Sequence, residues 1–116
     1  MTAFDAIVGV LRPLRLSLSD ELRLHAQMAE AFDTAGLPYE REVRLSSRDR
    51  IDFMFGTVGV EVKINGSKRE IYRQLERYAE HDRITALLLV INVPMGLPPT
   101  INGKPVALHS LARAWL

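Results

Sequence analysis

Residues 50–66, RIDFMFGTVGVEVKING, place charge where the surrounding pattern is apolar: Asp52 in one run and, past a Gly56-Thr57 turn, Glu61 and Lys63 in a second. Successive strand side chains alternate, so Glu61 and Lys63 share one face while Val60, Val62 and Ile64 share the other. If RIDFMF pairs with that strand through the short turn, Asp52 lies beside Glu61. Two adjacent carboxylates repel each other unless a proton, an ammonium or a divalent cation sits between them. An oxygen-only pair suits Mg²⁺, which keeps several waters and takes one or two carboxylates together with a phosphate. If the pair serves an ion and not the core, replacing either residue by alanine would leave the fold intact. Taken alone, however, a V-x-V-x-I strand with charges between is most often a strand with one solvated face. Supporting residues must come from elsewhere in the chain.

Two helices are placed to supply them. SLSDELRLHAQMAEAFDTAG, residues 17–36, opens with serines and Asp20 as capping candidates and closes at Gly36. Stepping about 100° per residue puts Leu24, Met28, Ala31, Phe32 and Ala35 within about 80° of Glu21, so Glu21 falls in the middle of the apolar stripe. Glu30 points to the opposite side. His25 shares the apolar face and reads as a packed or hydrogen-bonded core histidine before it reads as a ligand. In SKREIYRQLERYAEH, residues 67–81, Ser67 and Glu70 have capping-box spacing. There Ile71, Leu75, Tyr78 and Ala79 form the buried stripe, Gln74 sits on its border, and Lys68, Arg69, Arg73 and Arg77 lie mostly toward solvent.

In this combination the sequence resembles the PD-(D/E)xK nucleases, the fold of many restriction enzymes, archaeal Holliday-junction resolvases and small phage or mobile-element nucleases. The resemblance spans roughly residues 19–92. It rests on Glu21 in a first helix, RIDF with Asp52, eight intervening residues, EVK with Glu61 and Lys63, and RQLERYAEH with Gln74 in a following helix. Ile51 stands where that family's name-giving proline would be, a position without chemistry. The resemblance implies a restriction-endonuclease-like core and Mg²⁺-dependent hydrolysis of DNA phosphodiesters, with Mn²⁺ able to substitute. It implies that Asp52, Glu61 and the Val62 carbonyl hold the ion, with Glu21 ligating directly or through water. Lys63 would position or help deprotonate the attacking water, and Gln74 would orient the water or a carboxylate. Phosphate contacts would come from Arg41, Arg44, Arg48 and Arg50 and from Lys68, Arg69 and Arg73. The competing reading is a catalytically silent nuclease-fold module that binds nucleic acid or a protein.

Composition bounds these readings. The 116 residues, 47% hydrophobic and 25% charged, suit a single α/β domain spanning residues 1–116. Cysteine is absent, which excludes disulfides and thiolate metal sites and suits a cytoplasmic protein. A net charge of +1 excludes histone-like binding, leaving local basic clusters to engage phosphates. The N-terminal apolar run is short, carries Asp5 and breaks at Pro13, and ITALLLVINV is too short to span a bilayer, so neither export nor membrane insertion is expected.

The expected order is a helix over residues 3–12, the Glu21 helix, strands in YEREVRL, RIDFMF and VGVEVKI, and the Gln74 helix. A buried strand in ITALLLVIN follows, then a hairpin turning at Asn102-Gly103, and VALHSLARAWL closing with a helical turn. The outcome is a mixed β-sheet flanked by helices. One small site cuts one strand, so a homodimer is the expected partner arrangement, with AIVGVL and LARAWL as apolar contacts that would otherwise close the monomer's own core.

Overall fold

The computed structural model describes residues 2–115. Caps and turn residues divide the chain much as the sequence indicates. Helix α1 (Asp5–Leu11) begins where the Asp5 carboxylate gathers the Thr2 amide and hydroxyl at 2.9 and 2.8 Å, and it buries Ile7 and Leu11. Helix α2 (Glu21–Ala35) is capped by Asp20, whose carboxylate accepts from the Arg23 N–H, and stops at Gly36 in the left-handed conformation, φ 71°. Strands β1 (Glu40–Arg44), β2 (Arg50–Phe55) and β3 (Val58–Lys63) follow, then α3 (Lys68–Ala79), capped by the Ser67 hydroxyl on the Glu70 N–H. Strand β4 (Ala86–Ile91), the short β5 (Thr100–Ile101), β6 (Lys104–Ser110) and a 3₁₀ turn (Leu111–Trp115) complete the chain.

The six strands form one mixed sheet in the order β1-β2-β3-β4-β6-β5. Strands β1, β2 and β3 pair antiparallel, β3, β4 and β6 run parallel, and β5 pairs antiparallel with β6. Helices α1 and α2 cover one face through Ile7, Leu11, Leu24, Met28 and Phe32; α3 covers the other through Ile71, Leu75 and Tyr78. Strand β4, ALLLVI, is buried along its whole length because both faces are covered, which explains its unbroken apolar run.

One irregularity positions the site. Phe53 faces α2 whereas Ile51, two residues away, faces α3; Val43 faces α3 while the Arg41 guanidinium lies over the Phe53 ring. Both strands keep their register, Arg41 opposite Phe53 and Val43 opposite Ile51, so the β1–β2 ribbon turns over as a unit between those pairs. The residues at the turnover are Asp52 and Glu42, and Glu42 takes a left-handed φ of 48°, uncommon for a residue with a Cβ. Gly59 makes room beneath: a Cβ there would stand 2.5 Å from Ile51 Cδ1 and 2.9 Å from Ile84 Cδ1.

Candidate active site

Regular pairing between β2 and β3 runs from Phe55–Val58 to Phe53–Val60. Beyond it the strands are joined through carboxylates. The Asp52 N–H donates to Glu61 Oε1 at 3.2 Å, and Asp52 Oδ2 accepts the Val62 N–H at 2.8 Å. The sequence places these two residues side by side, and the turnover of the ribbon fixes how: the carboxylates take the roles of missing strand carbonyls. The Lys63 carbonyl is bonded toward β4 through the Asn92 N–H, so alternation aims the Val62 carbonyl into the same β2–β3 gap.

Glu61 is 3% exposed and faces α3. Its Oε2 lies 3.0 Å from the Tyr78 hydroxyl and 3.7 Å from Lys63 Nζ. Burial, above all, and then the Asp52 charge and hydrogen bond push its carboxyl up to about 9, against the opposing pull of Lys63 and Tyr78. The hydrogen bonds agree with a protonated acid. Tyr78 has one hydroxyl proton, faces both the Arg50 carbonyl and Glu61 Oε2 at 3.0 Å, and accepts from Gln74 Nε2 at 2.8 Å. A proton on Glu61 lets that acid donate to Tyr78 while Tyr78 donates to Arg50, leaving every group satisfied. Burial and the Glu61 charge also push the Tyr78 phenol up.

The helix residue that reaches Asp52 is His25. Its Nε2 is buried without a hydrogen-bond partner among the described residues and lies 3.7 Å from Asp52 Oδ2, too far for a hydrogen bond. Glu21 has the azimuth its stripe suggests, but it is exposed. Helical side chains lean toward the N-terminus, so a carboxylate in the first turn projects past the layer that the sheet covers, and the residue one turn later occupies the place expected for it. Gln74 reaches Glu61 through Tyr78.

The donors at the end of the β2–β3 pairing are of the kind a divalent cation takes: Asp52 and the Val62 carbonyl lie between Glu61, which faces α3, and His25, which approaches Asp52 from α2. Asp52, the Val62 carbonyl and Glu61 could hold one, with His25 brought in only by a movement of its side chain. Among the described residues no three His, Cys, Asp or Glu side chains come together as a ready-made metal cage, so water or substrate oxygens would complete the shell.

A cleft of about 420 Å³ opens beside Lys63 and is lined by Arg48, Arg73, Gln74 and Arg77, among others. Of the expected phosphate-contacting residues, Arg48 and Arg73 line it. Arg41 instead stacks on Phe53, Arg44 donates to the Ser47 carbonyl, Arg50 faces Glu42 at 3.9 Å, and Lys68 and Arg69 are exposed on the first turn of α3. Arg77, expected toward solvent, turns back to the buried Asp49, which also takes His81 Nε2 at 3.1 Å. Burial pushes the Asp49 carboxyl up, but the hydrogen bonds from His81 and Arg77 outweigh it and hold it below its ordinary range. Asp49 thereby pins the 46–49 loop, which carries Arg48, to α3.

Sequence reasoning missed Asp49, His81, the site role of Tyr78 and the approach of His25 to Asp52. For Tyr78 a signal existed: a buried tyrosine needs a partner for its hydroxyl. No protein-family model matches the chain, and searches of characterised proteins and of solved structures return no match. The class that the fold and site define is therefore an α/β domain with a mixed six-stranded sheet and a carboxylate–lysine cluster where two strands diverge. No helix among the described residues is long and apolar enough to cross a membrane.

Proposed function

We propose that the chain is a metal-dependent endonuclease with a restriction-endonuclease-like core, hydrolysing phosphodiester bonds of DNA in the cytoplasm. The observation that carries the reading is the buried Glu61, bonded to Asp52 on one side and 3.7 Å from Lys63 Nζ on the other, at the end of the regular β2–β3 pairing. A carboxylate and an ammonium serving only the core would be better replaced by apolar residues of similar volume.

Asp52, Glu61 and the Val62 carbonyl are the residues that would hold Mg²⁺ or Mn²⁺, with His25 in the place the sequence suggests for Glu21. Once bound, the ion would polarise the scissile phosphate and lower the pKa of a water. The chain's own part is electrostatic and positional. To serve as a ligand Glu61 would give its proton to solvent, and Tyr78, braced by Gln74, would donate to the carboxylate and hold its orientation. Lys63 faces the site from the rim, where it positions the attacking water and offsets charge growing on the phosphate. Arg48 and Arg73 in the cleft supply backbone contacts, which give affinity without sequence information. The outlying Arg41, Arg44, Arg50, Lys68 and Arg69 act at longer range.

Incubation of purified protein with plasmid, linear and four-way-junction DNA tests the reading. Nicking or cutting with Mg²⁺ or Mn²⁺, abolished by EDTA and absent in Lys63→Ala, is the expected result. Binding without cleavage under all these conditions would make the chain a silent nucleic-acid-binding module. Light scattering with and without DNA tests the proposed homodimer.

A further inference from the structure

A second cluster of basic groups lies apart from the carboxylate site. Arg12, just past the end of α1, Arg113 of the 3₁₀ turn, and His109 and Ser110 at the end of β6 line a pocket of about 340 Å³, whose remaining walls are mainly apolar, among them Val8 and Leu108. Both arginines are exposed, and among the described residues neither is paired with a carboxylate within 4.0 Å. Arg12 also helps, as the least of several influences, to hold the Asp5 carboxyl below its ordinary range. Like charges gathered in a concave pocket, unpaired among the described residues, repel one another, and an anion bound among them relieves that repulsion. Two guanidiniums and an imidazole suit the tetrahedral, multiply charged oxygens of phosphate better than a single carboxylate.

The register gives the pocket its relation to the carboxylate site. Lys63, Ile91 and Ser110 are paired in line across β3, β4 and β6, so Ser110 lies two strand spacings, about 10 Å, from Lys63 at the same end of the sheet. His109 is opposite Val90 and shares its face, the one covered by α1 and α2, whereas Glu61 and Lys63 look toward α3. The two sites flank one end of the sheet from opposite faces.

We propose that Arg12, His109 and Arg113 form a phosphate-binding site separate from the carboxylate site. The phosphate is either one in a nucleic-acid backbone or one on a small free compound. Trp115, two residues beyond Arg113 in the same 3₁₀ turn but lining a separate pocket with Arg15 and Leu18, is 49% exposed; its indole N–H is fixed on the Leu16 carbonyl, and the Arg15 guanidinium lies 5.9 Å from its ring centre. It offers a base a stacking surface, as single-strand binders do. The proposal does not depend on cleavage.

His109 reports occupancy directly. Its imidazole is held below the usual range by burial and by the Arg12 and Arg113 charges, so a bound anion must raise its titration midpoint. The test is NMR titration of the His109 ring in the full chain, with inorganic pyrophosphate and, separately, a short oligothymidylate, read alongside the fluorescence of the single tryptophan. A raised midpoint with both ligands and quenching of Trp115 by the oligonucleotide assigns the phosphate to nucleic acid. A response to pyrophosphate alone assigns it to a free phosphate compound. In either case R12A/R113A should weaken binding about tenfold or more, R12K/R113K should restore part of it, and Asp52→Asn should leave it unchanged. No shift at millimolar pyrophosphate, or a shift that survives in a folded R12A/R113A chain, overturns the proposal.

Discussion

Asp52 and Glu61 are joined through the backbone of one and the side chain of the other: the Asp52 N–H donates to Glu61 Oε1 at 3.2 Å, while Asp52 Oδ2 takes the N–H of Val62 at 2.8 Å. The two carboxylates are therefore part of the sheet as well as candidates for chemistry. Carboxylates that served an ion alone could be replaced by alanine with the fold intact; these two are bonded into the strands, so the alanine variants lose stability as well.

Asp52→Ala removes the acceptor of the Val62 N–H inside a covered sheet, and a buried donor left unpaired costs about 1–3 kcal/mol. Asp52→Asn keeps an oxygen in place and should lose much less. Both should lose cleavage. Urea melts of the two variants beside a nuclease assay separate the roles; equal stability of Ala and Asn would mean that the strand bond contributes nothing.

Glu61→Gln should stabilise the metal-free protein, increasingly so as pH rises. A carboxyl pushed up from 4.5 to about 9 binds its proton more tightly when folded, so the folded state carries no penalty below the unfolded value. Stability then falls across the window from about 4.5 to about 9, in which the unfolded chain has released a proton that the native one retains. The glutamine removes that slope. Melting temperatures from pH 5 to pH 8.5 should diverge by roughly several degrees at the alkaline end; parallel curves would place Glu61 as an ordinary anion.

Metal binding should release about one proton near neutral pH, because Glu61 must ionise to become a ligand. Calorimetry of Mn²⁺ binding in buffers of different ionisation enthalpy measures this. His25→Ala should weaken Mn²⁺ by about tenfold or more, and an imidazole in the donor set favours Mn²⁺ over Mg²⁺. Glu21→Gln should change affinity little, the opposite of what its place in the helical stripe suggests. A large loss with Glu21→Gln and none with His25→Ala would return the helix carboxylate to the site.

Gly59→Ala should cost about 1–3 kcal/mol by overpacking, since its Cβ would meet Ile51 and Ile84 at 2.5 and 2.9 Å. Those contacts are side-chain ends, so their yielding would push Ile51 out of its place on the α3 face and disturb Asp52 next to it. A denaturation midpoint equal to wild type, with cleavage retained, would show that the turnover does not need the glycine.

The helix caps at Asp20, Gly36 and Ser67, the Asn102-Gly103 turn and the doubly covered β4 were legible because each depends on local chemistry or on a simple period. So was the adjacency of Asp52 and Glu61, which follows from alternation and a short turn. Alternation failed at residues 51–53, where Ile51 and Phe53 face opposite sides although a regular strand would hold them together. A helical wheel gives azimuth and no height along the axis, so Glu21 and His25 could not be ranked by it. Asp49, His81 and Arg77 meet only after α3 has packed against the loop before β2, a contact across 28 to 32 residues that no local pattern encodes.

The turnover of the β1–β2 ribbon also decides how this sheet ends. A long, flat border strand invites another chain to add itself, the first step toward aggregation. Here one border is β1, twisted at Glu42 and carrying exposed Glu40, Arg41, Glu42 and Arg44, and the other is β5, two residues long. β1 therefore presents no straight row of unpaired amides and carbonyls, whereas β5 covers only the Lys104–Pro105 end of β6. The distortion that brings Asp52 to Glu61 thus also makes the β1 border a poor template for another strand.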